Sequence, residues 1–179
     1  YALIVILVAT MAAWLMALIL HLQPVDFIKI SLPVGLWILF RLITSFCGVF
    51  GFSIMFNSPV RLAATAAGIG AIANTLRLEM VDMTAIPPAG AAFVGALTAG
   101  ILASLIKSKV GYPRISLTVP SIVIMVPGMY LYRGFYNLGI MSLGPAASWF
   151  ASAILIIAAL PLGLIFARIL TDKTFRYCT

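Results

Sequence analysis

Ionisable side chains are scarce in this sequence: eleven Lys or Arg, four Asp or Glu and one His among 179 residues. Two arginines stand inside apolar runs. Arg41 lies eight residues into Pro33–Phe56, and Arg133 follows Pro127-Gly128. At about 1.5 Å per helical residue, Arg41 is roughly 12 Å from the start of its run. A charge at the centre of a bilayer costs about 2.5–3.5 kcal/mol on insertion scales, so such a residue usually faces a cavity or a partner. The guanidinium fork fits a carboxylate, which makes either arginine a candidate to hold a substrate carboxylate. The plainer roles are snorkelling for Arg41 and, for Arg133, an interfacial belt with Tyr130, Tyr132 and Tyr136. Glu79 and Asp82, at the outer end of the third apolar run, and Asp26 in the first connector are the carboxylates near spans. They are the default proton carriers for a proton-coupled process, and otherwise simple partners for Arg77 or Lys29.

The remaining chemistry is mostly excluded. The sequence holds no P-loop, no paired carboxylates, no nucleophile motif and no His/Cys cluster. The single histidine, His21, rules out most imidazole-based arrangements and reads as an interface residue. Cys47 and Cys178 are far apart, lack metal spacing and are expected as free thiols. No enzyme activity, cofactor or metal site is expected.

The most unusual stretch is Thr118-Val-Pro-Ser-Ile-Val-Ile-Met-Val-Pro127-Gly128-Met-Tyr-Leu-Tyr-Arg133-Gly. Pro120, Pro127 and Gly128 remove backbone donors and disfavour a straight helix. Non-helical backbone at membrane depth is tolerated only where protein buries it or a wet cavity adjoins it. Broken helices also aim half-helix ends at substrates in secondary transporters. A purely structural proline kink is the alternative. The added glycine, the neighbouring Ser121 and the following Arg133 favour function, so Arg133, Arg41, Pro127, Gly128 and Ser121 form the candidate substrate site.

The elements that must position these residues follow from composition. Hydrophobic types make up 64% of the chain and charged ones 8%. A soluble domain is nearer half apolar and a quarter charged, so the solvent is lipid. Continuous apolar stretches such as Leu3–Leu7 and Ile154–Leu160 lack the period of two of a barrel strand, which leaves helices. The expected fold is an all-α polytopic membrane bundle of about six transmembrane helices, one of them broken. The runs are Tyr1–Leu22, Pro33–Phe56, Arg61–Leu76, Ala89–Ile106, the broken Ser116–Tyr136 and Ala146–Ala167. Tyr1–Leu22 is too long for a signal h-region and reads as a retained span. Between the runs lie the Asp26–Ser31 connector, the Asn57-Ser58-Pro59 turn, the polar loop Glu79–Pro88, the basic loop Lys107–Arg114 and the turn Gly139–Pro145. The net charge of +7 reads as loop anchoring rather than nucleic-acid binding. Arg61, Lys107, Lys109, Arg114, Arg168, Lys173 and Arg176 fall on one side, against Lys29 and Arg77 on the other. By the positive-inside rule both termini are cytoplasmic. That alternation depends on the broken element crossing rather than re-entering. Ala64, Gly68 and Ala71, and Gly90, Gly95 and Gly100, make the third and fourth spans suited to close approach in lipid.

Gly51-Phe-Ser-Ile-Met-Phe-Asn57-Ser-Pro59-Val-Arg61, the small-residue helices after it, and Thr118-Val-Pro…Val-Pro127-Gly128-Met-Tyr-Leu-Tyr132-Arg133 resemble the threonine/serine exporter family, specifically its C-terminal membrane domain. The resemblance covers about Leu32–Arg176 and sets residues 1–31, an added span and connector, apart from an exporter-like domain at 32–179. It implies a proton-driven exporter of small amino acids, or of organic acids such as succinate, in a bacterial inner membrane. It also implies a second membrane subunit resembling the family's N-terminal half, fused or separate, with a homo-oligomer as a further arrangement. It assigns no substrate ligand. A small anionic or zwitterionic substrate and membrane lipid are the expected partners. The competing reading is a structural or assembly subunit without its own substrate site. A passive channel would need a continuous polar stripe, which the apolar runs do not show.

Overall fold

The computed structural model describes residues 2–22, 33–84 and 86–172. The Asp26–Ser31 connector with Lys29, the tail carrying Lys173 and Arg176, and Cys178 lie outside the described residues. Among the described residues there are seven helices: α1 (Ala2–Ile19), α2 (Val34–Met55), α3 (Val60–Met83), α4 (Pro88–Val110), α5 (Arg114–Val123), α6 (Gly128–Gly139) and α7 (Leu143–Thr171). No strand occurs among the described residues. Counting α5 and α6 as one interrupted element, six helical elements occur among the described residues, in keeping with a polytopic helical bundle. Among the described residues four elements are long and apolar enough to cross a bilayer: α2, α4, Arg114–Gly139 and α7. At 24 residues α3 is also long enough, but it carries Arg61, Arg77, Glu79 and Asp82.

Helix ends follow local chemistry. Pro33, Pro59, Pro87 and Pro113 sit at N-cap positions, where a missing N–H costs nothing. Asn57 ends α2 in the left-handed region at φ 58°. The N–H groups of Asn57 and Ser58 donate to the carbonyls of Ile54 and Ser53 at 2.9 and 3.1 Å, the paired bonds of a Schellman cap. Gly111, at φ 76°, ends α4.

Several boundaries differ from expectation. Helix α3 continues through Glu79 and Asp82 to Met83, so the polar loop is confined to the residues between Met83 and Pro88. Helix α4 runs to Val110, which puts Lys107 and Lys109 in its last turn, where the helix dipole favours cations. Pro120 sits within α5 and does not break it. The break falls at 124–127. Gly144 and Pro145 belong to the first turn of α7, where proline is tolerated, and the turn shrinks to 140–142.

The chain divides into two compact units. One comprises Tyr1–Ser31 and Pro127–Leu155. There α6 packs on α1, and Gly139 leaves room for the Trp14 indole, which a Cβ would strike. Phe135 and Phe150 meet edge to face at 5.0 Å between centroids. The other comprises Leu32–Val126 and Ile156–Thr179, with α3 central to it, packed on α2, α4 and α5. Its core is built mainly from alanine and glycine. Residues Ala91, Ala92, Gly95, Ala96, Ala99, Gly100 and Ala103 are the buried face of α4. Lipid supplies no hydrophobic drive between such helices, so close backbone approach and interhelical hydrogen bonds hold them together.

Candidate functional site

In the larger unit, α2 and α3 run antiparallel from the tight Asn57 turn, which brings the start of α2 beside the end of α3. Arg41 reaches across this pair. Its Nη1 donates to Glu79 Oε1 at 2.8 Å and its Nη2 to Asp82 Oδ2. The guanidinium also lies over the Trp37 ring, 4.8 Å from its centroid. Arg41 and Glu79 side chains are 12% and 14% exposed, against 54% for Asp82. Glu79 and Asp82 thus both meet Arg41. Arg77 donates from Nη1 to the Met125 carbonyl at 3.4 Å, at the interruption after α5. The carbonyl released by the break thus has a cationic donor.

Below the charged cluster, α2 presents Ser45, Val49 and Ser53 as a buried i, i+4 row. Asn74 Nδ2 donates to Ser45 Oγ at 2.8 Å. Asn74 Oδ1, Thr75 Oγ1 and Ser53 Oγ are buried without a hydrogen-bond partner. An unsatisfied buried polar atom is costly, so each of the three is a place that water or a polar ligand would satisfy. Ser121, fully buried on α5, shares its one hydroxyl proton between the Ala66 carbonyl at 2.9 Å and the Leu117 carbonyl at 2.6 Å. It pins the half-helix to α3 where Gly70 admits its backbone.

The structure thus joins Arg41, Glu79 and Asp82, and sets Ser121 on α5 in the same unit. Pro127, Gly128 and Arg133 belong to the other unit. Pro127 is the N-cap of α6. Gly128 has open space around it. Arg133 lies over Trp149 at 4.9 Å, as Tyr130 meets the same ring edge to face, and its carbonyl accepts from Asn137 Nδ2. Sequence reasoning missed Ser45, Ser53, Asn74 and Thr75. The spacing of Arg41, Ser45 and Ser53 on one helical row was the available signal.

Cavities also open on the larger unit among the described residues. One, of about 960 Å³, is lined by Lys107, Tyr112, Arg114, Arg168 and Asp172 among others. The second, about 380 Å³, lies beside Phe56, Ser58 and Ser116. Arg133 lines neither. Among the described residues no cluster of three His, Cys, Asp or Glu could hold a metal ion.

Six helical elements, several of them long and apolar, define a polytopic helical membrane protein with a charged cluster set into its helices. The family model described as Threonine/Serine exporter, ThrE, matches residues 41–170. That is well over half of the chain, which belongs to this family. The chain is therefore a transporter of the threonine/serine exporter type and not an enzyme. No curated protein and no solved structure matches it.

Proposed function

We propose that this chain is the membrane part of a proton-coupled secondary transporter, an antiporter that exports a small zwitterionic amino acid, threonine or serine. The observation that carries the reading is Arg41 held between Glu79 and Asp82 within the family-matched segment. A free amino acid presents a carboxylate and an ammonium, and this cluster offers both complements: a guanidinium fork and two acids. One cation against two anions suits a zwitterion better than a dicarboxylate, which makes succinate the second reading, with Arg133 as its carboxylate ligand.

The coupling follows from competition for one fork. Protonation of Glu79 or Asp82 weakens its hold on Arg41 and frees donors for the substrate carboxylate. Departure of substrate lets Arg41 return and favours release of the proton. The Asn74–Ser45 pair adds a buried polar contact between the same two helices. The Pro127-Gly128 interruption then supplies a hinge in the element that carries Arg133. The chain works in a bacterial inner membrane with both termini cytoplasmic. It acts with a second membrane subunit resembling the family's N-terminal half, and residues 1–31 add a span to the exporter domain.

The test is efflux of preloaded threonine, serine and succinate from cells expressing the chain with that partner. Arg41→Gln should abolish threonine and serine efflux. Glu79→Gln should leave exchange between substrate pools but remove its dependence on the pH gradient. Wild-type threonine efflux by a well-expressed Arg41→Gln variant would sink the assignment. Succinate efflux alone, lost in Arg133→Ala, would move it to the second reading.

A further inference from the structure

The cavity of about 960 Å³ between the ends of α4 and α7 and the start of α5 is not used by this mechanism. Its polar side carries Lys107, Arg114 and Arg168 against one acid, Asp172. Arg114 Nη2 donates to the Leu164 carbonyl at 3.2 Å, which fixes one guanidinium in the wall. Arg168 Nε stands 3.9 Å from Asp172 Oδ2, at the flank of the cavity. The opposite side is apolar and faces outward: Ile115, Val119 and Ile165 are 68%, 45% and 46% exposed. A cationic floor beside an apolar wall open to the membrane is amphipathic in the sense of a lipid, not of a free solute. A hydrophilic amino acid would gain nothing from Ile115, Val119 and Ile165. An acyl chain would cover them while its phosphate met the three cations. Basic pockets between transmembrane helices take anionic headgroups in this way.

We infer that this cavity is a binding site for an acidic phospholipid, with Lys107, Arg114 and Arg168 around the phosphate and the acyl chain along Ile115, Val119 and Ile165. Because the ligand joins the ends of α4 and α7 to the start of α5, its binding stabilises the larger unit. The proposal stands apart from the export reading, and its failure leaves that reading untouched.

The experiment is native mass spectrometry and thermal unfolding of the purified full chain in detergent, titrated with phosphatidylglycerol, phosphatidylcholine or inorganic phosphate. Phosphatidylglycerol should be retained as a discrete adduct and raise the unfolding temperature, and phosphatidylcholine should do neither. Each cation near an anionic headgroup contributes roughly fivefold in affinity. Lys107→Gln/Arg168→Gln should therefore weaken phosphatidylglycerol binding by about 25-fold. Arg61→Gln/Lys109→Gln makes the same charge change away from the lining and should bind as wild type. Equal retention of both lipids, equal losses in the two double variants, or full displacement by millimolar phosphate would each overturn the inference.

Discussion

Gly70 shows how little room remains where α2, α3 and α5 meet. A Cβ there would stand 2.7 Å from Val49 Cγ2 and 2.8 Å from the Ser121 carbonyl oxygen. Gly70→Leu is expected to destabilise the protein by about 1–3 kcal/mol, as overpacking does, read as a fall in unfolding temperature in detergent. Gly68, two residues away, has nothing within 4 Å, and Gly68→Ala should unfold with the wild type. Ser121→Ala removes the one donor shared by Ala66 O and Leu117 O. Both carbonyls lie in helices, so the loss should be near 1 kcal/mol. Arg41→Ala is different in kind: it leaves Glu79 and Asp82 without their cation, and breaking such a pair costs about 3–5 kcal/mol when buried. Partial exposure of Asp82 places the expected loss at the lower end, checked by the same unfolding assay. Of these residues, Arg41, Glu79, Asp82 and Ser121 stand out in the sequence because a charge or hydroxyl in an apolar run must be accommodated. Their pairing does not, because the bond from Arg41 to Glu79 spans 38 positions. Nothing local says which cation an acid meets.

At the scale of elements, punctuation was legible and extent was not. Prolines at 33, 59 and 113 and the glycine at 111 mark helix ends from chemistry carried within a residue or two. The polar end of α3 reads as loop, yet it is helical because Glu79 and Asp82 are satisfied by Arg41 on the neighbouring helix. Pro120 looks like a breaker and is not one, whereas Pro127 is. The carbonyl of Met125 is met by Arg77, a donor the local sequence cannot reveal. This difference gives an element-level prediction. Gly128 faces open space, so Gly128→Ala should fold with unchanged unfolding temperature while stiffening the junction of α5 and α6. If that junction is a hinge, threonine efflux falls in the variant; unchanged efflux would assign the break a structural role only.

For the whole molecule, lipid exposure is written in composition, since an apolar chain of this kind has no soluble alternative. The division into two units was not legible. The fold returns Pro127–Leu155 to the same unit as α1, a long-range choice made by aromatic contacts and by the space Gly139 leaves for Trp14. Orientation is testable directly. In a Cys47→Ser/Cys178→Ser background, a cysteine at Ser108 should react with a membrane-impermeant thiol reagent only after the cytoplasmic face is opened. One at Thr84 should react in intact spheroplasts. Reversal of the two would invert the topology, and labelling of both from one side would mean that α4 does not cross.

The alanine and glycine face of α4 has a geometric consequence of its own. Its buried positions fall into two four-residue series: Ala91, Gly95, Ala99 and Ala103, and Ala92, Ala96 and Gly100. Displacing such a helix by four residues, about 6 Å along its axis, lays each small residue where another had been. The glycines break that equivalence: a Cβ at Gly100 would stand 2.5 Å from Ala167 Cβ and one at Gly95 3.2 Å from Arg77 Cβ, so the shift sets an alanine where the observed alignment has room only for glycine. A small set of directional bonds at the margins adds to that selection. Examples are Thr171 Oγ1 to Ser104 Oγ on α4 itself, and Arg77 to Met125 O and Ser121 to Ala66 O on the adjoining helices. Alignment in this bundle is thus set by where the glycines of α4 fall, with a few hydrogen bonds acting as a detent.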